Sequence, residues 1–281
     1  MKNITLVSMS ILAALLAHAS IFAQTKPGDR LTVPLTDPSR PAFLKVGLIS
    51  GGITVRGSSG KEVIVEGKTR AEDEDESEPE KSEKTRGLHR IPNTSSGISV
   101  EEDDNTVTVE MGMMGGSRTT DLMIQVPTNT SMKLSSINDG EIEVSQVKGD
   151  LEISNTNGSI KLSNVNGSAV LDALNGDITV VFTGVNGDKS MSFSSLNGTI
   201  DVTFPPGLSA TVRMKTEQGE IYSDFDIKMD TSPAKIENNG QGRRGKYRVT
   251  LEKMMAGTIN GGGPEIQFKN LTGDIYIRKG K

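Results

Sequence analysis

The chain has 281 residues, a net charge of −5 and no cysteine. The lack of cysteine excludes a disulfide framework, a thiolate zinc site and a thiol nucleophile. The acidic balance argues against nucleic acid as a partner, because nucleic-acid binding depends mainly on Lys and Arg contacts to phosphates.

The first 23 residues have the pattern of a cleaved secretory signal. Lys2 precedes an apolar run from Ile4 to Leu16, which is too short for a membrane span. Small residues then favour cleavage after Ala23, with a second candidate position after Ala19. Since this segment carries one Lys and no acidic residue, its removal leaves 258 residues with a charge of −6. We therefore predict an exported protein of the periplasm, the outer surface or the medium.

Residues 24–41 contain four prolines and one glycine, and they predict a lead-in segment with an edge strand at Leu31–Val33. From Ala42 onward the sequence alternates apolar and polar residues, which is the period of a half-buried strand. No segment after the signal keeps a convincing helical period, so the sequence predicts an all-β fold. We predict a single domain over residues 42–281.

Residues 71–97 interrupt the strand pattern. Eight acidic residues lie between Glu72 and Glu83, and the apolar residues are too few to offset the entropy of ordering the chain. We predict a flexible, solvated insertion between two strands. The alternative is an acidic loop that binds a cation or a partner through Glu72, Asp73, Glu74, Asp75 and Glu76. A second flexible loop is predicted at residues 111–118.

From Ile137 onward a short unit recurs, in which a glycine is followed by alternating apolar residues. Four spacings of nine residues and two of eleven separate the glycines between positions 140 and 198. This regularity predicts a parallel β-solenoid, whose coils of two or three strands would take about 18 to 27 residues and stack about 4.8 Å apart. The predicted corner glycines are Gly140, Gly149, Gly158, Gly167, Gly176, Gly187, Gly198, Gly219 and Gly273.

The second and fourth residues after most of these glycines are aliphatic, and alternation places both on the inner face. After Gly187 the apolar positions slip to Met191 and Phe193, which predicts a bulge or a longer corner. The predicted inward residues are Ile142, Val144, Leu151, Ile153, Ile160, Leu162, Ala169, Leu171, Ile178, Val180, Ile200 and Val202. The cations expected to shield the last coil from another chain are Arg278, Lys279 and Lys281.

Asn-Gly precedes several units and is a strong turn signal, since Gly tolerates positive φ and Asn visits the left-handed region. A nucleotide-binding glycine motif would need a following helix, and none is predicted. Calcium-binding repeats need paired glycines and an Asp in each unit, which this repeat lacks. We therefore predict no cofactor and no metal. The asparagines expected to form a side-chain ladder at a corner are Asn157, Asn166, Asn175, Asn186 and Asn197.

The sequence offers little for catalysis. A Ser-His-Asp triad would have to use His89, which lies in the acidic insertion. Asp177, Asp188 and Asp201 near the predicted corners are the candidates for a polysaccharide-cleaving β-helix, but single carboxylates on a solvated face are the rule for solubility. We predict a protein without enzymatic activity. The chain has no Trp, and the tyrosines available to stack on sugars are Tyr222, Tyr247 and Tyr276.

These patterns together resemble the bacterial adhesin-like domain family DUF4097. The resemblance is carried by "LKVGLISGGITVRGSSGKEVIVEG", by "DLMIQVPTNTSMKLSSINDGEIEVSQVKGDLEISNTNGSIKLSNVNGS" and by the terminal "NLTGDIYIRK". It spans most of the chain from about Ala42 to Lys281 and implies an exported, right-handed β-solenoid. It implies no catalytic residues. The acidic insertion and the loop at residues 111–118 depart from the family pattern.

The sequence leaves two functions from different classes open. The first is an adhesin-like envelope or surface protein that presents a rigid β-face to an unidentified polymer or protein. The second is an envelope-stress sensor or regulator whose acidic loop binds cationic peptides. A polysaccharide-active enzyme is a third and weaker alternative.

Overall fold

The computed structural model describes residues 29–70, 97–111, 119–230, 237–239, 248–250 and 254–281, and those residues form strands, turns and bends without a helix. The predicted all-β class is therefore confirmed. The predicted signal segment, residues 71–96 of the acidic insertion and residues 112–118 of the second loop lie outside the described residues.

Up to residue 175, the described residues form eleven strands, which are β1 Asp29–Pro34, β2 Ala42–Ser50, β3 Ile53–Ser58, β4 Glu62–Thr69, β5 Ile98–Asp103, β6 Thr106–Met111, β7 Thr120–Pro127, β8 Thr130–Asn138, β9 Ile142–Ser145, β10 Lys148–Asn157 and β11 Ile160–Asn175. The later strands are β12 Ile178–Val185, β13 Met191–Asn197, β14 Ile200–Phe204, β15 Ala210–Gln218, β16 Ile221–Ser223, β17 Lys228–Met229, β18 Glu237–Asn239, β19 Arg248–Thr250, β20 Met255–Ile259, β21 Glu265–Thr272 and β22 Ile275–Lys279.

All of these strands except the separate pair β18–β19 belong to one hydrogen-bonded network of two ladders, joined where β11 passes from one to the other. Sheet 1 has the order β5-β6-β2-β8-β10-β11-β13-β21-β15-β20-β17. Sheet 2 has the order β1-β4-β7-β3-β9-β11-β12-β14-β22-β16.

A coil consists of one sheet 1 strand followed by one sheet 2 strand, so the fold uses two strands per coil. In the most regular part the register advances by 18 residues, as in the pairs Gly149 with Gly167 and Ile160 with Ile178. This spacing is twice the nine-residue unit, and it puts the same inward positions of successive coils in line. The architecture is β-solenoid-like.

Strand orientation is mixed, so the prediction of a parallel solenoid throughout is not confirmed. All pairs between neighbouring coils are parallel, from β6–β2 and β7–β3 at one end to β21–β15 and β22–β16 at the other. The antiparallel pairs are β1–β4, β4–β7, β5–β6, β15–β20 and β17–β20. The antiparallel pairing of β5 with β6 has a local cause, because Asp104 and Asn105 both adopt positive φ and close a two-residue hairpin. β1 covers the predicted Leu31–Val33 and pairs only with β4 among the described strands.

The coils do not stack in chain order at either end. The last coil of the chain, β21–β22, lies between β13–β14 and β15–β16. In the same way the first coil, β2–β3, lies between β6–β7 and β8–β9. The prediction that Arg278, Lys279 and Lys281 shield a terminal ladder is therefore wrong, because β22 is paired on both sides.

The core lies between the two sheets, and every aliphatic residue predicted to face inward is buried. Met191 and Phe193 are buried as well, which confirms the predicted slip after Gly187. Burying one such side chain contributes about 1.5 to 3 kcal/mol, so these columns supply most of the stabilisation. The charged residues between them, such as Glu143 and Lys161, face solvent.

Four phenylalanines form the aromatic part of the core. Phe182 stacks on Phe204 within sheet 2, with ring centroids 5.3 Å apart, and Phe193 stacks on Phe268 within sheet 1 at 5.2 Å. The contacts across the sheets are edge-to-face, at 6.2 to 6.4 Å. Offset stacks and edge-to-face pairs are the arrangements that aromatic rings prefer. Because Phe268 belongs to the inserted coil, this cluster ties that coil to its neighbours.

We expect Phe268→Ala to lower the free energy of unfolding by about 3 to 5 kcal/mol, since it removes a buried ring and leaves a cavity between two coils. Urea denaturation followed by circular dichroism measures this change. The matched control is Met123→Ala, because Met123 is 51% exposed on the outer face and should change stability by less than about 0.5 kcal/mol. A loss below 1 kcal/mol for Phe268→Ala, by the same scale, would place Phe268 outside the core.

Candidate functional site

The corner leading from sheet 1 to sheet 2, here the first corner, contains a column of glycines packed against neighbouring backbone. A Cβ atom on Gly158, Gly176 or Gly198 would lie 2.1, 2.3 or 2.2 Å from the carbonyl oxygen of the preceding glycine in the column. No real side chain tolerates such contacts, so the coils reach this spacing only where Cβ is missing. The column is Gly51, Gly140, Gly158, Gly176, Gly198, Gly273 and Gly219.

The remaining predicted corner glycines lie at the second corner, which leads from sheet 2 back to sheet 1. A Cβ on Gly167 would lie 2.1 Å from the carbonyl oxygen of Gly149. Gly187 differs, because no atom lies within 4 Å of its Cβ position. Gly184 takes the place opposite Asn166, since the longer corner after β12 moves Gly187 out of register. The two predicted glycine sets are therefore separate columns.

The predicted asparagine ladder is present at the first corner. The side-chain amide of Asn157 donates to Asn138 at 2.9 Å, that of Asn175 to Asn157 at 3.0 Å, and that of Asn197 to Asn175 at 2.9 Å. The predicted members Asn166 and Asn186 lie at the second corner and do not join it. The ladder links four coils through amide groups alone.

A second polar row lies inside the ladder, two residues before it in each strand. Asn155 Nδ2 donates to the carbonyl oxygen of Gly140 at 2.9 Å, and Asn270 Nδ2 donates to that of Gly198 at 2.7 Å. The hydroxyls of Ser136, Ser195 and Thr216 make the same contact with the glycines of their neighbouring coils. These hydrogen bonds satisfy carbonyl groups that the corner would otherwise bury without a partner. The first corner is thus structural.

The outer face of sheet 1 carries an exposed aliphatic column, which we call the aliphatic stripe. Its members precede the ladder position in successive strands, and they are between 38 and 65% exposed. Thr156 takes the place between Ile137 and Leu174, and Glu217 ends the column. The aliphatic stripe consists of Ile49, Ile137, Leu174, Leu196 and Leu271.

Two equivalent residues at the second corner are buried. Val147 and Val165 also precede a polar residue and glycine, but they are at most 2% exposed. Each follows a residue of positive φ, Gln146 or Asn164, and a left-handed residue turns the next side chain inward. The sequence repeat alone does not reveal that the two corners treat the same apolar position differently.

Small side chains flank the first part of the aliphatic stripe on sheet 1. The adjacent outward column begins with Gly47, Ser135 and Ser154, continues with Asp172 and Ser194, and ends with two lysines. The aliphatic side chains therefore stand above a low, polar strip. Further along the same face Lys133 pairs with Glu152 at 2.6 Å, an exposed ion pair that stabilises the fold little.

The outer face of sheet 2 carries a pair of stacked tyrosines. The rings of Tyr222 on β16 and Tyr276 on β22 have centroids 5.1 Å apart and planes 10° apart. Tyr276 Oη donates to Asp274 at 3.0 Å, and this hydrogen bond raises the pKa of Tyr276. The guanidinium carbon of Arg278 lies 5.1 Å from the centroid of Tyr276, and Arg278 Nε donates to Asp201 at 2.7 Å. The charged residues Asp274 and Arg278 thus fix the position of the Tyr276 ring.

The sequence analysis names both tyrosines but does not pair them, although a signal exists in the sequence. "GEIYS" at Gly219 and "GDIYI" at Gly273 have identical spacing, so the two tyrosines occupy the same position of the repeat. Their strands also prove to be neighbours, which the sequence order does not predict. Tyr247 lies outside the described residues.

The predicted acidic candidates each make a different contact. Asp177 Oδ1 accepts a hydrogen bond from the Thr199 amide at 2.7 Å, and Asp201 accepts from Arg278. Asp188 lies in the longer second corner, where its amide donates to Asn186 Oδ1 at 3.2 Å. Within the described ranges no three His, Asp or Glu side chains lie close enough to hold a metal ion. His89 and the acidic candidates Glu72, Asp73, Glu74, Asp75 and Glu76 lie outside them.

A cleft of about 520 Å³ opens at the second corner, between the loops after β12, β14 and β20. Its lining consists of glycine, proline, Val185 and Leu208, with Ser209 as the polar side chain. None of these lining residues has a side chain that could act as a general acid or base. In the part of the chain that the structure describes, no helix is long and apolar enough to cross a membrane.

Comparison with known proteins gives a family and a structural neighbour. The sequence profile of the family Toastrack DUF4097 matches residues 94–260, from before β5 to the end of β20. The crystal structure of a candidate cell adhesion protein from Clostridium sporogenes aligns with 91% of this chain and 100% of its own, at 11% identity and a TM-score of 0.43. No curated protein sequence matches the chain.

The glycine column predicts that Gly176→Ala destabilises the fold by about 1 to 3 kcal/mol, because the methyl group overlaps the Gly158 carbonyl oxygen and the coils must separate. Gly187→Ala is the matched control, since its Cβ position is open and stability should change by less than about 0.5 kcal/mol. Thermal unfolding of both variants measures the difference. Equal melting temperatures would show that the close approach does not limit stability.

Proposed function

Since the chain belongs to the Toastrack DUF4097 family, we propose that it is an exported, non-enzymatic envelope protein that presents a rigid β-face to a polymer or protein of the cell surface. The aliphatic stripe is the observation that carries this proposal. Export rests on the signal pattern of the first 23 residues.

The aliphatic stripe is suited to binding because it is exposed, regular and rigid. Five aliphatic side chains over six coils follow the strand spacing, which gives a line of about 24 Å. Contiguous exposed apolar surface on a soluble protein marks interaction sites more often than isolated apolar residues do. The inner faces of the same strands are locked in the core, so a ligand orders little of the protein on binding.

A non-enzymatic role is supported by the engagement of the candidate acids. Asp177 accepts a hydrogen bond from the Thr199 amide and Asp201 pairs with Arg278, so both carboxylates are engaged in contacts within the fold. A right-handed winding of the coils is part of the proposal, because crossovers between parallel strands of one sheet take that hand almost always. The partner is an envelope polymer or protein that lies along the aliphatic stripe.

The test is co-sedimentation of the signal-free protein with isolated envelope fractions. We expect Leu174→Thr with Leu196→Thr to weaken binding at least tenfold, since it removes apolar contact area while retaining the residue type that occurs naturally at Thr156. Val181→Thr is the matched control, because Val181 is 39% exposed on the opposite sheet and Thr203 follows it in the same column.

The control variant should bind like the parent protein, and circular dichroism should show all three proteins folded. Equal loss of binding in both variants would argue for non-specific adsorption. Unchanged binding of the double variant would remove the aliphatic stripe from the proposal.

A further inference from the structure

Among the described residues, the tyrosine pair on sheet 2 ends in one free ring face. β22 lies between β14 and β16. Arg278 reaches towards β14, where it bonds Asp201, and Tyr222 stacks on Tyr276 from the side of β16. Tyr276 is therefore covered on both faces, and the stack ends on Tyr222. Tyr222 is 51% exposed.

The rest of the column does not use aromatic residues at the positions equivalent to these two tyrosines. The same outward column continues through Glu143, Lys161, Thr179 and Asp201, all of which are polar. The rings add nothing to the core, because Ile275 and Ile277 are the buried residues of β22. An exposed aromatic surface in a chain with three tyrosines and no Trp is therefore a candidate for ligand contact.

We propose that the free face of Tyr222 is a stacking platform for a pyranose ring of a surface glycan. The apolar C–H face of a pyranose packs flat on an aromatic ring, and the hydroxyl groups at its edge need hydrogen-bond partners. Glu220 and Asp224 lie two residues either side of Tyr222 and are exposed. Their carboxylates accept hydrogen bonds from sugar hydroxyls.

The polar groups around Tyr222 favour a hydroxyl-rich ligand over an anionic or a purely apolar one. The acids Glu220 and Asp224 disfavour an anion, and the backbone amide of Lys279 donates to Asp224 at 3.3 Å. A purely apolar partner would strip water from these charged groups without replacing its hydrogen bonds. A sugar replaces them, and the two-ring stack is already ordered before binding.

This site lies on the sheet opposite to the aliphatic stripe and does not depend on it. A glycan ligand at Tyr222 would add a second, chemically distinct contact to the proposed envelope protein. The two ideas fail separately, because their test variants change different sheets.

The absence of Trp makes tyrosine fluorescence a direct probe. We would titrate the signal-free Tyr247→Phe protein, in which Tyr222 and Tyr276 are the remaining tyrosines, with β-1,4-linked tetrasaccharides of glucose and of N-acetylglucosamine. A saturable change in tyrosine emission is expected with at least one of them. Isothermal titration calorimetry measures the variants, because they lack the tyrosine that reports binding; Tyr222→Ala should weaken binding at least tenfold, and Tyr222→Phe should stay within threefold because the ring is kept.

Tyr222→Ile repeats the test with a residue that suits a strand, in case the alanine variant does not fold. Leu174→Thr should bind the tetrasaccharide like the parent protein, since it alters the other sheet. The proposal is overturned if neither tetrasaccharide gives a saturable change, or if Tyr222→Ile binds as tightly as the parent. Binding of tetralysine in place of the sugars, lost on Tyr222→Ile, would also overturn it and indicate a cation site.

Discussion

The close approach of neighbouring coils at the glycine columns is the constraint on which the rest of the structure depends. Where a carbonyl oxygen lies about 2 Å from the position of a missing Cβ, only glycine permits the contact. That contact sets the distance at which Asn157 and Asn175 meet, and at which Asn155 reaches the Gly140 carbonyl. The same register then aligns the inner aliphatic columns and the outer ones. Packing inside and binding surface outside are thus two consequences of one spacing.

The outer face of sheet 1 follows from a difference between the two corners. At the second corner Gln146 and Asn164 adopt positive φ and send Val147 and Val165 into the core. At the first corner the strand continues extended to the asparagine, so the preceding residue, such as Leu196, stays outside. The repeat looks uniform in sequence, but its apolar residue before the glycine is buried at the second corner and exposed at the first.

Local features of the sequence were sufficient to predict the strands, the inward residues and the glycine corners. Ile160, Leu162 and Ile178 could be assigned because a period of two and a recurring glycine are properties of short segments. The stacking order of the coils could not be predicted in this way, since it depends on which distant strands pair. The residues 94–260 that match the family omit both inserted coils, and the flanking segments complete the stack. The tyrosine pair was hidden for the same reason, because its members are 54 residues apart in sequence and meet only in the stacked coils.

Cross-linking of engineered cysteines tests the stacking order most directly, in a chain that has no cysteine of its own. Ser192 on β13 lies opposite Gln267 on β21, which in turn lies opposite Arg213 on β15. Strands that pair are about 4.8 Å apart, within disulfide reach, whereas strands two coils apart are about 9.6 Å apart and beyond it. The inserted coil predicts that Ser192→Cys with Gln267→Cys forms a disulfide on mild oxidation and that Ser192→Cys with Arg213→Cys does not. Efficient cross-linking of the second pair, without the first, would show that the coils stack in chain order and would contradict the structure.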